Sequence, residues 1–271
     1  MSVATTTVPR GAGGLLREWR ERRRLSQLDL SVGAEVSTRH LSFVETGRSK
    51  PSRELLLHLA EHLEVPLRER NALLLAAGYA PLYRETPLEA DELGPVRAAL
   101  DKILAGHDPY PAVVVDRRWD LVAANDAALS VLTEGVSAEL LTPPANALRV
   151  SLHPEGLAPR IVNLAEYSAH VLSRLQRELA ITADPAVAAL YDELRGYPGV
   201  EDGTGRQNHK GTAALLFVPL VLRRPGGPDL SFFSTVATFG TALDITVSEL
   251  AIESFFPADE ATGAALRSAA G

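Results

Sequence analysis

Thr38, Arg39 and His40 stand in succession, and Phe43 follows one helical turn later. On a helix they share the exposed flank near its N-terminus, where a helix lying in the major groove meets base edges. Arg39 has the reach to bind guanine O6 and N7 bidentately, and Phe43 can pack on a thymine methyl. The plainer alternatives are a solvated Arg39 and His40 and a core Phe43. Gln27, Arg48 and Lys50 suit phosphate oxygens, and Ser37, as the cap of that helix, belongs to the same DNA-facing surface. A second constellation, His58-Leu59-Ala60-Glu61-His62, repeats the H-x-x-E-H order of inverted zincins. Its helix already uses Leu55, Leu56, Leu59 and Leu63 for an inward face and no third ligand stands out, so the histidines read as solvated and no metal is expected. After Leu88 there is no nucleophile elbow, P-loop or dinucleotide glycine pattern, and the chain has no cysteine. No catalytic residue and no cofactor are assigned; binding is expected rather than enzymatic chemistry.

The elements that position these side chains are written locally. Ser26 can cap a helix from Gln27, with Asp29 three residues on as in a capping box. Leu30, Ser31 and Ala34 give that helix a small inner face. Ser37 then caps Thr38 to Glu45, whose Leu41 and Val44 point back to the core, and Gly47 stands where a left-handed cap ends it. Two short helices joined by a three- to four-residue turn form a helix-turn-helix.

Leu16 to about Leu63 resembles the Xre-type helix-turn-helix regulators, the class that includes phage repressors. One position departs: Glu35 stands where that family usually has glycine, so it takes positive φ at a cost of about 1–2 kcal/mol unless Gly33 relaxes the turn. From Leu55 onward the chain resembles the MmyB-like regulators. The residues carrying that likeness are VETGRSKPSRELL, VPLRERNALLLAAGYAPLYRETPL, VVDRRWDLVAAN, LHPEGL with IVN, and FFSTVATFGTALDIT followed by FFPADEAT. The resemblance implies a PAS-like C-terminal pocket for a small, largely apolar ligand, with fatty acids the leading candidates. Such a pocket needs a few polar anchors. Arg149 and His153 are four apart on a short helix ended by Pro154 and can face one carboxylate; Trp119, Phe217, Phe232 and Phe239 are candidate walls. Ordinary core packing and a helix C-terminus are the alternatives. Asn125 reads as the cap of the helix Asp126–Leu132.

The fold expected is multidomain. An all-α, five-helix, phage-repressor-like domain spans 14–78 after a tail at 1–13, and a linker follows at 79–87. An α+β PAS-like domain with an antiparallel sheet spans 88–260, and 261–271 forms a C-terminal tail. Leu88–Leu104 reads as helix, PAVVVDRRWDLVAAN as two short strands, and Leu164–Leu179 and the run from Asp184 as helices. Thr212–Arg223, Leu230–Thr241 and Glu249–Phe256 read as strands, with Pro219 confining its own run to an edge.

With 46% hydrophobic and 23% charged residues in 271, the composition excludes a wholly disordered or fibrous protein. Residues 1–85 carry 13 Lys/Arg against 10 Asp/Glu, whereas 86–271 carry 14 against 24. A basic N-terminal module on an acidic chain suits one face for a polyanion and another for something else. The absence of cysteine, of a signal-peptide pattern and of a long apolar run leads us to expect a cytoplasmic protein that does not cross a membrane. The expected function is a transcriptional regulator that binds a double-stranded DNA operator as a homodimer and senses a fatty-acid-like ligand. The alternatives are a C-terminal interaction or oligomerisation module without a ligand, and an enzyme tethered to DNA.

Overall fold

The computed structural model describes residues 11–182, 184–202, 218–224 and 226–269. The chain divides into two compact units, one running to Thr86 and including Ala242–Ile245, the other beginning at Pro87 and resuming at Thr246. The first unit is helical: α1 (Ala12–Arg22), α2 (Gln27–Gly33), α3 (Thr38–Glu45), α4 (Arg53–His62) and α5 (Leu67–Ala76). Ser26 accepts from Asp29 N while Asp29 accepts from Ser26 N, which closes the capping box; Ser37 and Ser52 cap α3 and α4. Leu16, Trp19, Leu30, Leu41, Val44 and Leu59 bury their side chains together in one core.

The helix ends use unusual residues. Arg24, Glu35 and Glu64 take φ of +56°, +52° and +48°, each just past a helix end. Behind each comes a 6→1 hydrogen bond, from Leu25, Val36 and Val65 N to Arg20, Ser31 and Ala60 O, and the apolar residue making it tucks towards the core. Glu35, not Gly33, therefore absorbs the strain of the turn between α2 and α3. Gly47, at φ +71°, closes α3 as expected.

The N-terminal tail expected through residue 13 is shorter, because Ala12 and Gly13 are buried within α1. A Cβ built on Gly13 would lie 2.0 Å from the Val44 carbonyl oxygen. The glycine-rich run thus lets α1 pass directly over the C-terminal end of α3, a close approach that local composition does not reveal. The segment expected as a linker from Tyr79 largely packs with this unit: Asn71 Nδ2 donates to Tyr83 O, and Thr86 Oγ1 donates to Asp244 Oδ2.

In the second unit, α6 (Gly94–Gly106) precedes the hairpin of β1 (Ala112–Val115) and β2 (Leu121–Ala124). There follow α7 (Asp126–Leu132), α8 (Ala147–Leu152), α9 (Leu164–Thr182) and α10 (Pro185–Leu194). Then come β3 (Leu220–Leu222), β4 (Leu230–Thr238), α11 (Ile245–Ser248, whose first residue falls in the helical unit), β5 (Ala251–Pro257) and α12 (Glu260–Ala269). The described strands form one antiparallel sheet in the order β2-β1-β5-β4-β3, which places the Pro219 run at an edge. Register sets Glu253 opposite Val113 on one side and Val236 on the other. One face packs Leu100, Leu104, Val114 and Ile252; the other packs Val113, Leu148, Leu172, Leu190, Phe232 and Phe255. Asn125 caps α7 through Ala128 N, and its amide also donates to Tyr110 O and Asp108. Residues 261–269, expected as a tail, are helical instead. Asp259 accepts from Thr262 N, Thr262 accepts from Ser231 N, and Leu266 is buried. Half of the strand read at Thr212–Arg223, residues 212–217, lies outside the described residues. Among the described residues no helix is long and apolar enough to cross a membrane.

Gly13→Ala should lower the stability of the helical unit by about 1–3 kcal/mol, since two backbones must part. Gly33→Ala, whose Cβ would meet nothing closer than 4.0 Å, should hold or raise it. Urea unfolding followed by far-ultraviolet circular dichroism checks both; an unchanged midpoint for Gly13→Ala would contradict the close approach.

Candidate DNA interface and ligand cavity

The flank of α3 is built by what stands behind it. Glu45, at the end of α3, is buried and takes Arg20 Nε at 2.7 Å and Nη2 at 2.8 Å from α1, and Gln27 Nε2 at 2.8 Å from α2. This hydrogen-bonded pairing holds the Arg20 guanidinium above its ordinary pKa. Thr38, Arg39 and His40 are exposed at the capped start of α3. Their environments differ. The Thr38 hydroxyl lies 2.7 Å from that of Ser31, tying α3 to α2, and His40 N donates to Ser37. The Arg39 guanidinium stacks over the half-buried Phe43 ring at 5.4 Å, so Phe43 is neither free nor fully core. Stacking uses the guanidinium face and leaves its N–H edge for a partner. Arg48 is exposed, and exposed Lys50 rests its ammonium 5.1 Å over the Tyr79 ring. Gln27, expected at a phosphate, has its amide engaged by Glu45 inside the unit.

The second unit holds an apolar cavity between the sheet and helices α7, α8 and α9. Val113, Leu121, Ala128, Leu148, Leu220 and Phe255 line it, with Ser151, Tyr167 and Glu253 as polar neighbours. An apolar wall with a few polar groups is the lining of a small-molecule site.

Of the residues expected to line a ligand site, the described ones are not among the lining of this cavity. Trp119 is 5% exposed and sits in the core at φ +66°, its indole N–H donating to Glu178 Oε2 at 3.0 Å and Arg174 covering its face at 4.3 Å. Arg149 does meet a carboxylate, but it is the protein's own. Arg149 pairs with Glu193 through Nε and Nη2, both at 2.8 Å, which pulls the Glu193 carboxyl below its usual range. His153 has left the helix and packs edge-on against Tyr197. Phe232 is fully buried core, and Phe239 belongs to the opposite face of the sheet. Phe217 lies outside the described residues. His58 Nε2 meets Ala34 O at 2.8 Å, and no group of three potential metal ligands comes together among the described residues.

Two family models match the chain. A helix-turn-helix domain covers residues 12–73, and the MmyB-like transcription regulator ligand-binding domain covers residues 96–269. The chain belongs to the MmyB-like transcription regulators. It is a DNA-binding regulator with a small-molecule-binding domain, and both matched domains are those of regulators rather than of enzymes. Among solved structures it is similar to the clp gene regulator ClgR from Corynebacterium glutamicum, at 24% identity over 38% of this chain and 97% of that one, with a TM-score of 0.23. An RNA-binding light-oxygen-voltage receptor matches at 16% identity over 95% of this chain and 60% of that one, with a TM-score of 0.27. Neither overlay bears on the assignment. No curated protein sequence matches.

The polar cavity residues of this MmyB-like regulator are absent from the sequence reading. Only one signal pointed to them: Glu253 is a charge on the face of β5 that Ala251 and Phe255 make apolar. Burial also marks Glu178, raising its carboxyl above the usual range against the Trp119 hydrogen bond and Arg174, with Asp184 and Asp116 adding to the rise. A carboxyl raised on folding stabilises the fold when protonated. That contribution is lost as pH climbs from the unfolded value, about 4.3, through the higher folded one. Glu178→Gln keeps an acceptor for Trp119 and removes the titration. Its stability gain over the parent should be small near about pH 3 and grow towards about pH 7. A gain independent of pH in denaturant unfolding would contradict the buried charge.

Proposed function

We propose that this regulator reads a double-stranded DNA operator in the Xre manner, with α3 in the major groove. The observation carrying this is a Ser37-capped helix with Arg39 and His40 exposed at its start, held from behind by Arg20 and Glu45. Arg39 contacts a base, His40 and Phe43 extend the surface, and Thr38 fixes it through Ser31. Ser37, Arg48 and Lys50 meet the backbone; Gln27 joins them through whatever donor capacity Glu45 leaves it. One such helix reads too few bases for a unique site, so a homodimer on half-sites about 34 Å apart is proposed.

The C-terminal domain is read as PAS-like, a reading the strand order β2-β1-β5-β4-β3 supports. Its ligand is small and largely apolar, fatty-acid-like in its chain, and occupies the cavity beside Phe255. It acts in the cytoplasm by binding one arrangement of the dimer better than another; equal affinity for both would shift nothing. The cavity favours this over an interaction module with a filled core.

Operators selected from random duplexes test the first part. Arg39→Ala should relax preference at one base pair per half-site by about 1–3 kcal/mol, and an unchanged preference spectrum would contradict base reading. Native mass spectrometry tests the second part. A small apolar molecule carried by the folded protein and released on denaturation is expected. A bare chain mass after incubation with a cell lipid extract would contradict it.

A further inference from the structure

We infer that the end of the ligand reaching the sheet side of the cavity is a hydroxyl on an apolar skeleton, not a carboxylate. This rests on the reading of the cavity as the ligand site. Among the described residues lining it none is Lys, Arg or His, and one is acidic. Glu253 is 9% exposed and lies on the inward face of β5. Its Oε1 accepts from Ser234 Oγ at 2.7 Å and from Arg174 Nη1 at 3.3 Å, while no group of the described residues donates to Oε2. A carboxylate offers about four acceptor sites, so half of this one is unused by the described residues. Arg174 does not line the cavity; its guanidinium is engaged by Glu253 and by the Trp119 ring.

Beside Glu253 the cavity is lined by the Tyr167 and Ser151 hydroxyls, and Ser151 donates to Ala147 O at 2.8 Å. Burial pushes the Tyr167 phenol well above its ordinary pKa and the Glu253 carboxylate adds to this, so it remains a neutral hydroxyl. The corner therefore presents a carboxylate oxygen that no described residue donates to, next to hydroxyls that both give and accept. A ligand hydroxyl satisfies it by donating to Glu253 Oε2 and accepting from Tyr167. A carboxylate placed there would lose its hydration, find no cation among the described wall residues and face a like charge, each of which disfavours it. An ammonium would suffer desolvation beside a Glu253 already paired with Arg174.

Isothermal titration of the full chain with octan-1-ol, octanoate and octylammonium at about pH 7.5 reads the preference directly. The alcohol is expected to bind about tenfold or more tighter than octanoate, equivalent to about 1.4 kcal/mol. Glu253→Gln should erase or reverse that ratio, because an amide donates and leaves Arg174 without its counter-charge. Should this variant misfold, the parent chain supplies a second readout. Octanoate should bind more tightly as pH falls and its own carboxyl gains a proton, while the alcohol changes less. Octanoate or octylammonium binding as well as the alcohol would overturn the hydroxyl assignment and leave the cavity as the site. If none of the three binds, the cavity reading itself falls, and this assignment with it.

Discussion

Glu45 is the point at which three helices of the DNA-reading unit meet. Arg20 from α1 and Gln27 from α2 both close on its carboxylate, and both charged partners are nearly excluded from water. Removing one partner of such a pair leaves a buried charge and typically costs about 3–5 kcal/mol, although the intact pair need not stabilise more than an apolar filling would. Its consequence here is directional. A fork of two parallel hydrogen bonds fixes the end of α3 against α1, and Gln27 adds the start of α2 to the same carboxylate. The approach of α1 over Val44, possible only because residue 13 lacks a Cβ, places Arg20 within reach. The exposed flank of α3 is thus aimed from behind by Arg20 and Glu45, both buried in the helical unit.

The ligand-binding unit follows a different logic. Its sheet buries one face under α6 and the other under α8, α9 and α10, and the second face is not filled. Arg174 bridges the two polar features on that side, lying on the Trp119 ring and reaching Glu253. Trp119 holds a left-handed backbone conformation that a bulky residue adopts only when its surroundings enforce it. The Glu178 hydrogen bond, the Arg174 stack and near-complete burial supply that enforcement. The hairpin, α9 and β5 are therefore linked through a few charged groups next to an apolar void.

Much of this was legible in the sequence, and the pattern of successes is physical. Ser26 with Asp29, Ser37, Asn125 and Gly47 were readable because capping is decided within a few residues. So was the α+β order of the second unit, since alternation and helical spacing are local as well. What escaped depends on distance in the chain. Gly13 reads as tail until Val44 is brought against it. Residues 261–269 read as tail because alanine, glycine and serine carry little hydrophobic pattern, yet Leu266 and Thr262 dock them on the sheet. Arg149 and His153 read as anchors for a ligand carboxylate, but Glu193, forty-four positions from Arg149, claims the guanidinium, and His153 packs on Tyr197. Trp119, Phe232 and Phe239 read as walls of a pocket, yet they pack into the cores on the two faces of the sheet, while Ala128, Leu148, Val113 and Phe255 border the cavity.

The claim on which the regulatory reading turns is that α3 enters the major groove. Dimethyl sulfate modification of guanine N7 on a selected operator tests it most directly, because that atom is exposed only there. Bound protein should protect N7 in two clusters about one helical turn apart, with adenine N3 in the minor groove left reactive. Retention of the duplex with every N7 still reactive, or protection confined to the minor groove, would contradict it.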